Sequence, residues 1–282
     1  MEWLVVTDSS CDLLDMDTES PEIAYETVPF MMNMDGKDYT DDPEMNVAEM
    51  VDVMEKSSKS FSACPSPGAW AEKFAQAKHV IAFTISGRLS GSYSSAMAAR
   101  DMVLEAYPEK QIEVIDSLST GPKLVLLAQQ AVRQIQEQVS FEKICSSCRE
   151  FAKSAKTIFT LTSFHNLVQN GRVSKIAGFL ASKLSIRVIG IGTQEGVIHF
   201  QGMVRGEKKC LRNIVESMEE GGYQGKPMAI SHCLNRQLAE DLKNLILDKW
   251  QDAAIQILPT RGLDSYYAER NGLIVTYPCA TV

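Results

Sequence analysis

The sequence predicts an α/β fold in two domains, and three observations carry that expectation. Short apolar runs alternate with helical patterns, those runs end in hydroxyl-rich loops, and 282 residues exceed what one hydrophobic core usually organises. Hydrophobic residues make up 45% and charged residues 23%, proportions that exclude disorder, collagen and a coiled coil as the main architecture.

Taken in order, residues 3–6 form an apolar run ending in Thr7-Asp8-Ser9-Ser10, the pattern of a buried strand running out into a polar loop. Residues 79–83 lead likewise into Thr84-Ile85-Ser86-Gly87, and residues 112–115 into Asp116-Ser117. Helical patterns cover 47–55 behind Asn46, 67–77 behind Ser66, 92–104 and 124–137. This alternation predicts a parallel sheet with helices on its faces. Residues 23–39, with Asp35-Gly36 as the turn, read as an inserted hairpin. A charged helix over 141–156 closes this unit, so the sequence predicts an N-terminal domain over 1–156 and a C-terminal one over 157–282. In the latter, strands are expected at 158–161, 186–191, 197–200, 228–231 and 255–258, and helices at 206–218 and 235–250.

Charge and cysteine usage narrow the class. Through residue 55 there are 16 acids against one base, Lys37, a local −15; the remaining 20 acids and 27 bases give +7. The bases are dispersed and not interleaved with aromatics, which argues against nucleic-acid binding. Seven cysteines are an odd number, so reduced thiols are expected. No apolar run reaches the roughly 18 residues a bilayer span needs, and Met1-Glu2-Trp3 lacks a basic leader. A soluble, cytoplasmic protein is expected, with transient membrane contact allowed.

Chemistry belongs beyond the carboxyl ends of the parallel strands. The loop Ser86-Gly87-Arg88-Leu89-Ser90-Gly91-Ser92 is the strongest local signal, because its hydroxyls and the following helix amides suit an anion. Ser90 or Ser92 as a simple helix cap stays open. Ser62-Ala63-Cys64-Pro65-Ser66-Pro67 reads as a turn before a helix, while Cys145-Ser146-Ser147-Cys148 lies in a helical pattern without the partners of a metal or redox site. Gly190-Ile191-Gly192 lacks a third glycine, residues 221–226 miss the P-loop spacing, and there is no G-x-S-x-G elbow. Of the four histidines, His165 alone suits an acid or base. An esterase would pair Ser90 with His165 and with Asp116 or Asp8. The Met31 to Met54 cluster is either core or lining for an apolar ligand.

In order, Val6-Thr7-Asp8-Ser9-Ser10-Cys11-Asp12-Leu13, the Leu89-Ser90-Gly91-Ser92-Tyr93 loop, Val114-Ile115-Asp116-Ser117, Asn170-Gly171-Arg172-Val173 and Val204-Arg205-Gly206 span most of the chain. Together they resemble the DegV family of bacterial proteins, which includes the fatty-acid-binding subunit of bacterial fatty acid kinase. The resemblance implies an N-terminal parallel sheet, a C-terminal mixed sheet and a lipid tunnel between two α/β domains. It also implies a carrier of one long-chain fatty acid, with no cofactor, no metal and no catalytic residue of its own. A separate ATP-binding kinase subunit would make the acyl phosphate.

Carried over by motif, the carboxylate contacts are Ser62, Ser90 and the amide of Gly91. Asp8, Ser9, Ser86, Asp116, Ser117 and Arg172 would support the loops, and Arg205, Lys208 and Lys209 would dock the kinase subunit. The family's C-terminal histidine is missing: this chain reads Pro259-Thr260-Arg261-Gly262-Leu263-Asp264-Ser265 there. Thr260 and Arg261 are the expected replacements.

Overall fold

In the computed structural model, residues 1–173 and 186–279 are described. The chain opens with β1 (Trp3–Asp8), β2 (Ile23–Val28), β3 (Met31–Met34) and β4 (Lys37–Thr40). After α1 (Val47–Met54) and β5 (Ser60–Ala63) come α2 (Pro67–Phe74), β6 (His79–Thr84), α3 (Ser92–Ala106) and β7 (Gln111–Asp116). The paired helices α4 (Pro122–Gln136) and α5 (Phe141–Ser154) follow. The second half runs β8 (Lys156–Leu161), α6 (His165–Gln169), β9 (Ile186–Gly192), β10 (Ile198–Arg205), α7 (Glu207–Glu220) and β11 (Met228–His232). It ends with α8 (Arg236–Leu247), β12 (Ile255–Pro259), α9 (Gly262–Ala268) and β13 (Leu273–Tyr277).

Three sheets result. The first is parallel in the order β2-β1-β6-β7, and the second is mixed, β10-β9-β8-β13-β11-β12, with β11 and β12 its parallel pair. Its remaining pairs are antiparallel. The third is a small antiparallel sheet, β4-β3-β5. Helix α4 packs on β1 and β6 of the first sheet and on β11 and β13 of the second. Its apolar side, Leu124, Leu127, Ala128, Ala131 and Ile135 at helical spacing, is buried in one cluster that also takes in Ala229 and Leu258. One core therefore ties both halves together.

The expected hairpin is redrawn. Residues 23–28 are an edge strand of the parallel sheet, because Trp3 to Asp8 pair with them in parallel register. The hairpin proper is β3 with β4, turning on Asp35 and Gly36 at φ 50° and 90°, the positive pair that a type I′ turn requires. Residues 60–63, expected in a turn, add to it as β5. Met32, Met34, Met50 and Met54 are buried core and line neither chamber described below. Cys145 and Cys148 face inward from α5 as free thiols. The sequence reading missed β13, a central strand with the apolar run Leu-Ile-Val-Thr-Tyr, as well as the short helices α6 and α9. Among the described residues no helix is long and apolar enough to cross a membrane.

Candidate functional site

The parallel strands deliver three loops to one end of the sheet, and a buried carboxylate staples them. Asp8, the last residue of β1, accepts from the Ser10 amide and hydroxyl on one oxygen. On the other it accepts from the Ile85 amide at 3.0 Å and the Ser92 hydroxyl at 2.6 Å. Burial pushes its carboxyl up to about 6, although four donors oppose that shift. Ser9 accepts from the Phe30 amide, Asp116 from the amides of Gly87 and Leu118, and Ser117 donates to the Ser119 carbonyl. Ser86 donates to the Gly196 carbonyl at 2.6 Å across the two halves. Gly196 has φ +79°, and a Cβ there would lie 2.3 Å from the Ser86 hydroxyl, so this contact needs glycine.

Inside this frame lies a chamber of about 330 Å³, whose polar wall includes Ser62, Cys64, Ser90, Gly91, Arg172 and Tyr267. Ser62 and Tyr267 share a hydrogen bond of 2.7 Å between hydroxyls. The Ser90 hydroxyl accepts from the Ser92 amide at 3.3 Å, a local turn bond, while the N-cap of α3 is Gly91, so neither Ser90 nor Ser92 caps the helix. Behind it begins the 15-residue helix α3, whose amino end favours negative charge. Arg172 bonds to the Leu89 and Asn170 carbonyls and so fixes a positive charge beside the chamber.

A narrow extension of about 70 Å³ shares Leu89, Thr120, Leu167, Ile198, Asp264 and Tyr267 with that chamber, so the two adjoin. Its own walls are mostly apolar, with Phe159, Leu161, Val197, Ala268 and Ile274. Thr157, Phe159 and Leu161 alternate along β8 and so share a sheet face. The cavity thus has a polar, cationic end and an oily end, and Asp264 stands at the junction with Thr120 and Tyr267. Burial and the facing Asp12 carboxylate hold the Asp264 carboxyl well above the usual carboxylate range.

Thr260 and Arg261 do not reach the chamber. Thr260 bonds to His232 and Ser265, and Arg261 donates from Nη2 to the Asp41 carbonyl at 2.7 Å while its Nε lies 3.6 Å from the Asp41 carboxylate. The Arg261 amide is taken by Asp12, and the Asp41 carboxylate accepts from the amides of Gly262 and Leu263. This segment is a bolt between the halves. Tyr267, one turn beyond Leu263 on α9, is what projects toward Ser62, and a helix over 262–268 was the signal that could have found it.

The esterase constellation is not assembled either. His165 is exposed at the start of α6, where its amide bonds to Ser163, and the bonds of Asp8 and Asp116 go to amides and hydroxyls. Arg205, Lys208 and Lys209 are exposed at the β10 to α7 corner, away from the chamber.

A DegV family model, described as an uncharacterised protein family, matches residues 2–269. The chain belongs to the DegV family. A DegV domain-containing protein of Streptococcus pyogenes serotype M1 is 36% identical over 278 residues, 98% of this chain and 99% of the relative. Among solved structures, the Streptococcus pneumoniae fatty acid kinase B3 protein loaded with linoleic acid has 33% identity and a TM-score of 0.95, with 99% of each chain covered. A DegV family protein of Eubacterium eligens loaded with heptadecanoic acid has 34% identity and a TM-score of 0.93, covering 98% of this chain and 99% of that one.

Proposed function

We propose that this chain carries one long-chain fatty acid, its carboxylate in the polar chamber and its tail running from there toward the apolar extension, and presents it in the cytoplasm to an ATP-binding kinase subunit. The observation that supports it most is the adjoining pair of spaces, one polar and one oily, in a DegV chain whose relatives hold fatty acids. Ser62, Ser90, the Gly91 amide and Tyr267 are the carboxylate donors, and Arg172 supplies charge. A buried tail at ~0.8 kcal/mol per methylene sets affinity, about 11 kcal/mol for a sixteen-carbon chain before ordering costs. The hydroxyls, at about 1.5–3 kcal/mol each to a charged acceptor, set orientation. Loss of either would be felt separately. Arg205, Lys208 and Lys209 form the docking corner for the kinase subunit, far enough from the chamber to be changed without touching the lipid.

Native mass spectrometry is the test. Protein from a bacterial host should carry fatty acid one to one, and Ser90→Ala should weaken palmitate binding about ten- to a hundredfold. A bound chain should also shield Cys64, the exposed thiol of the chamber wall, from alkylation. Protein that stays lipid-free through a palmitate titration refutes the reading. Arg205→Glu should leave lipid uptake unchanged and lower acyl-phosphate formation with a cognate kinase subunit; unchanged turnover refutes the docking corner.

A further inference from the structure

One side of the oily extension is lined by hydroxyls. Thr157 bonds to Ser119 at 2.8 Å and to Thr276 at 2.9 Å, and all three side chains are buried. Thr157 stands opposite Gly192 on β9 and opposite Thr276 on β13, so the ladder runs from the loop that carries Ser119 across β8 to β13. Leu161, Phe159 and Thr157 run toward it along β8, a wall of about 13 Å for four residue steps. On the far side lies a separate polar cavity of about 490 Å³ with Lys153, Lys156, Gln194 and Glu195 in its lining. It shares only Thr157 and Gly192 with the oily extension.

We infer that the Ser119, Thr157 and Thr276 ladder, with Gly192 beside it, is the stop that sets how long a tail this chain accepts. The inference rests on the fatty acid reading above and adds its specificity determinant. A terminal methyl cannot pass the ladder without separating hydroxyls that are buried and already paired, and beyond them it would meet charge instead of hydrocarbon. The two shared residues act in opposite senses. Shortening Thr157 removes the central rung and joins the extension to the space behind it. A Cβ on Gly192 would sit 3.7 Å from the Thr157 Cβ and 3.9 Å from the Ser119 hydroxyl, ordinary contacts, so alanine fits there and takes room from the tail.

The experiment offers delipidated protein an equimolar mixture of saturated fatty acids from fourteen to twenty carbons and reads the bound species by native mass spectrometry. Thr157→Ala should move the distribution to longer chains and Gly192→Ala to shorter ones, each by about fourfold in the ratio of neighbouring lengths per methylene gained or lost. Should one variant fail to fold, the other decides by itself. A parental profile in every variant that folds overturns the stop while leaving fatty acid binding intact. A parent that takes up no fatty acid overturns the binding reading, and the stop with it.

Discussion

The wall of the chamber built from residues 62–91 and the wall built from residues 263–267 line one space, yet they are held differently. The first combines bonds over a few residues, as Ser90 makes with Ser92 and Ser86 with Arg88, with the carboxylates of Asp8 and Asp116, which accept from the Ile85 and Gly87 amides. The second is set by charge brought from far away, with Asp12 and Asp41 gripping the amides of residues 261–263 and Arg261 buried between them. Binding donors exposed to a ligand need only good positions. A segment bolted through buried charge needs every partner, so the second wall is where the fold is most vulnerable.

The largest expected effect follows from that difference. Arg261→Ala leaves the Asp41 carboxylate without its cation in a fully buried site, and should cost about 3–5 kcal/mol of stability by denaturant unfolding. If Arg261 instead served the ligand, the loss would fall on palmitate affinity with stability nearly unchanged, and the contrast between the walls would collapse.

That same contrast explains what was legible in the sequence. The ends of β1, β6 and β7 were readable because an apolar run giving way to Asp and Ser is a local pattern, and the caps Asn46 and Ser66 bond three residues on. Arg261 was assigned to the ligand because sequence order put it where a family histidine stands, while its real partner, Asp41, is 220 residues away. Tyr267 was invisible for a like reason, its hydroxyl meeting Ser62 at a separation of 205 residues. The hairpin was drawn too long because nothing local says that residues 23–28 pair with β1 in parallel.

A somewhat smaller effect concerns pH. Burial holds Asp12 up to about 7 and Asp8 up to about 6, both above the ordinary 3.8. A carboxyl whose folded value is raised favours the protonated fold, so its contribution is complete below about 4 and is lost as pH climbs through the folded value. Stability should therefore fall between about pH 4 and pH 7. The unpartnered Oδ2 atoms of Asp12 and Asp264 converge over Gly121, 2.8 and 2.4 Å from where its Cβ would be. Asp12→Asn keeps an acceptor for the Arg261 amide and offers Asp264 a donor, so it should flatten the fall. An unfolding midpoint that rises from pH 5 to pH 8 would contradict the assignment.

The smallest effect sits where the walls meet. The hydroxyl bond between Ser62 and Tyr267 joins β5 to α9, and either oxygen can donate. With a fatty acid bound, one hydroxyl donates to the other, which turns its own proton to the carboxylate. Ser62→Ala and Tyr267→Phe should then each weaken palmitate binding, and the double variant should lose less than the sum, with a coupling energy of about 1 kcal/mol. Waters entering after the first loss account for part of that shortfall. Strict additivity by calorimetry would mean that the walls act on the ligand independently. No loss from Tyr267→Phe would instead place Tyr267 in the bolt, with Arg261, and leave the carboxylate to the first wall alone.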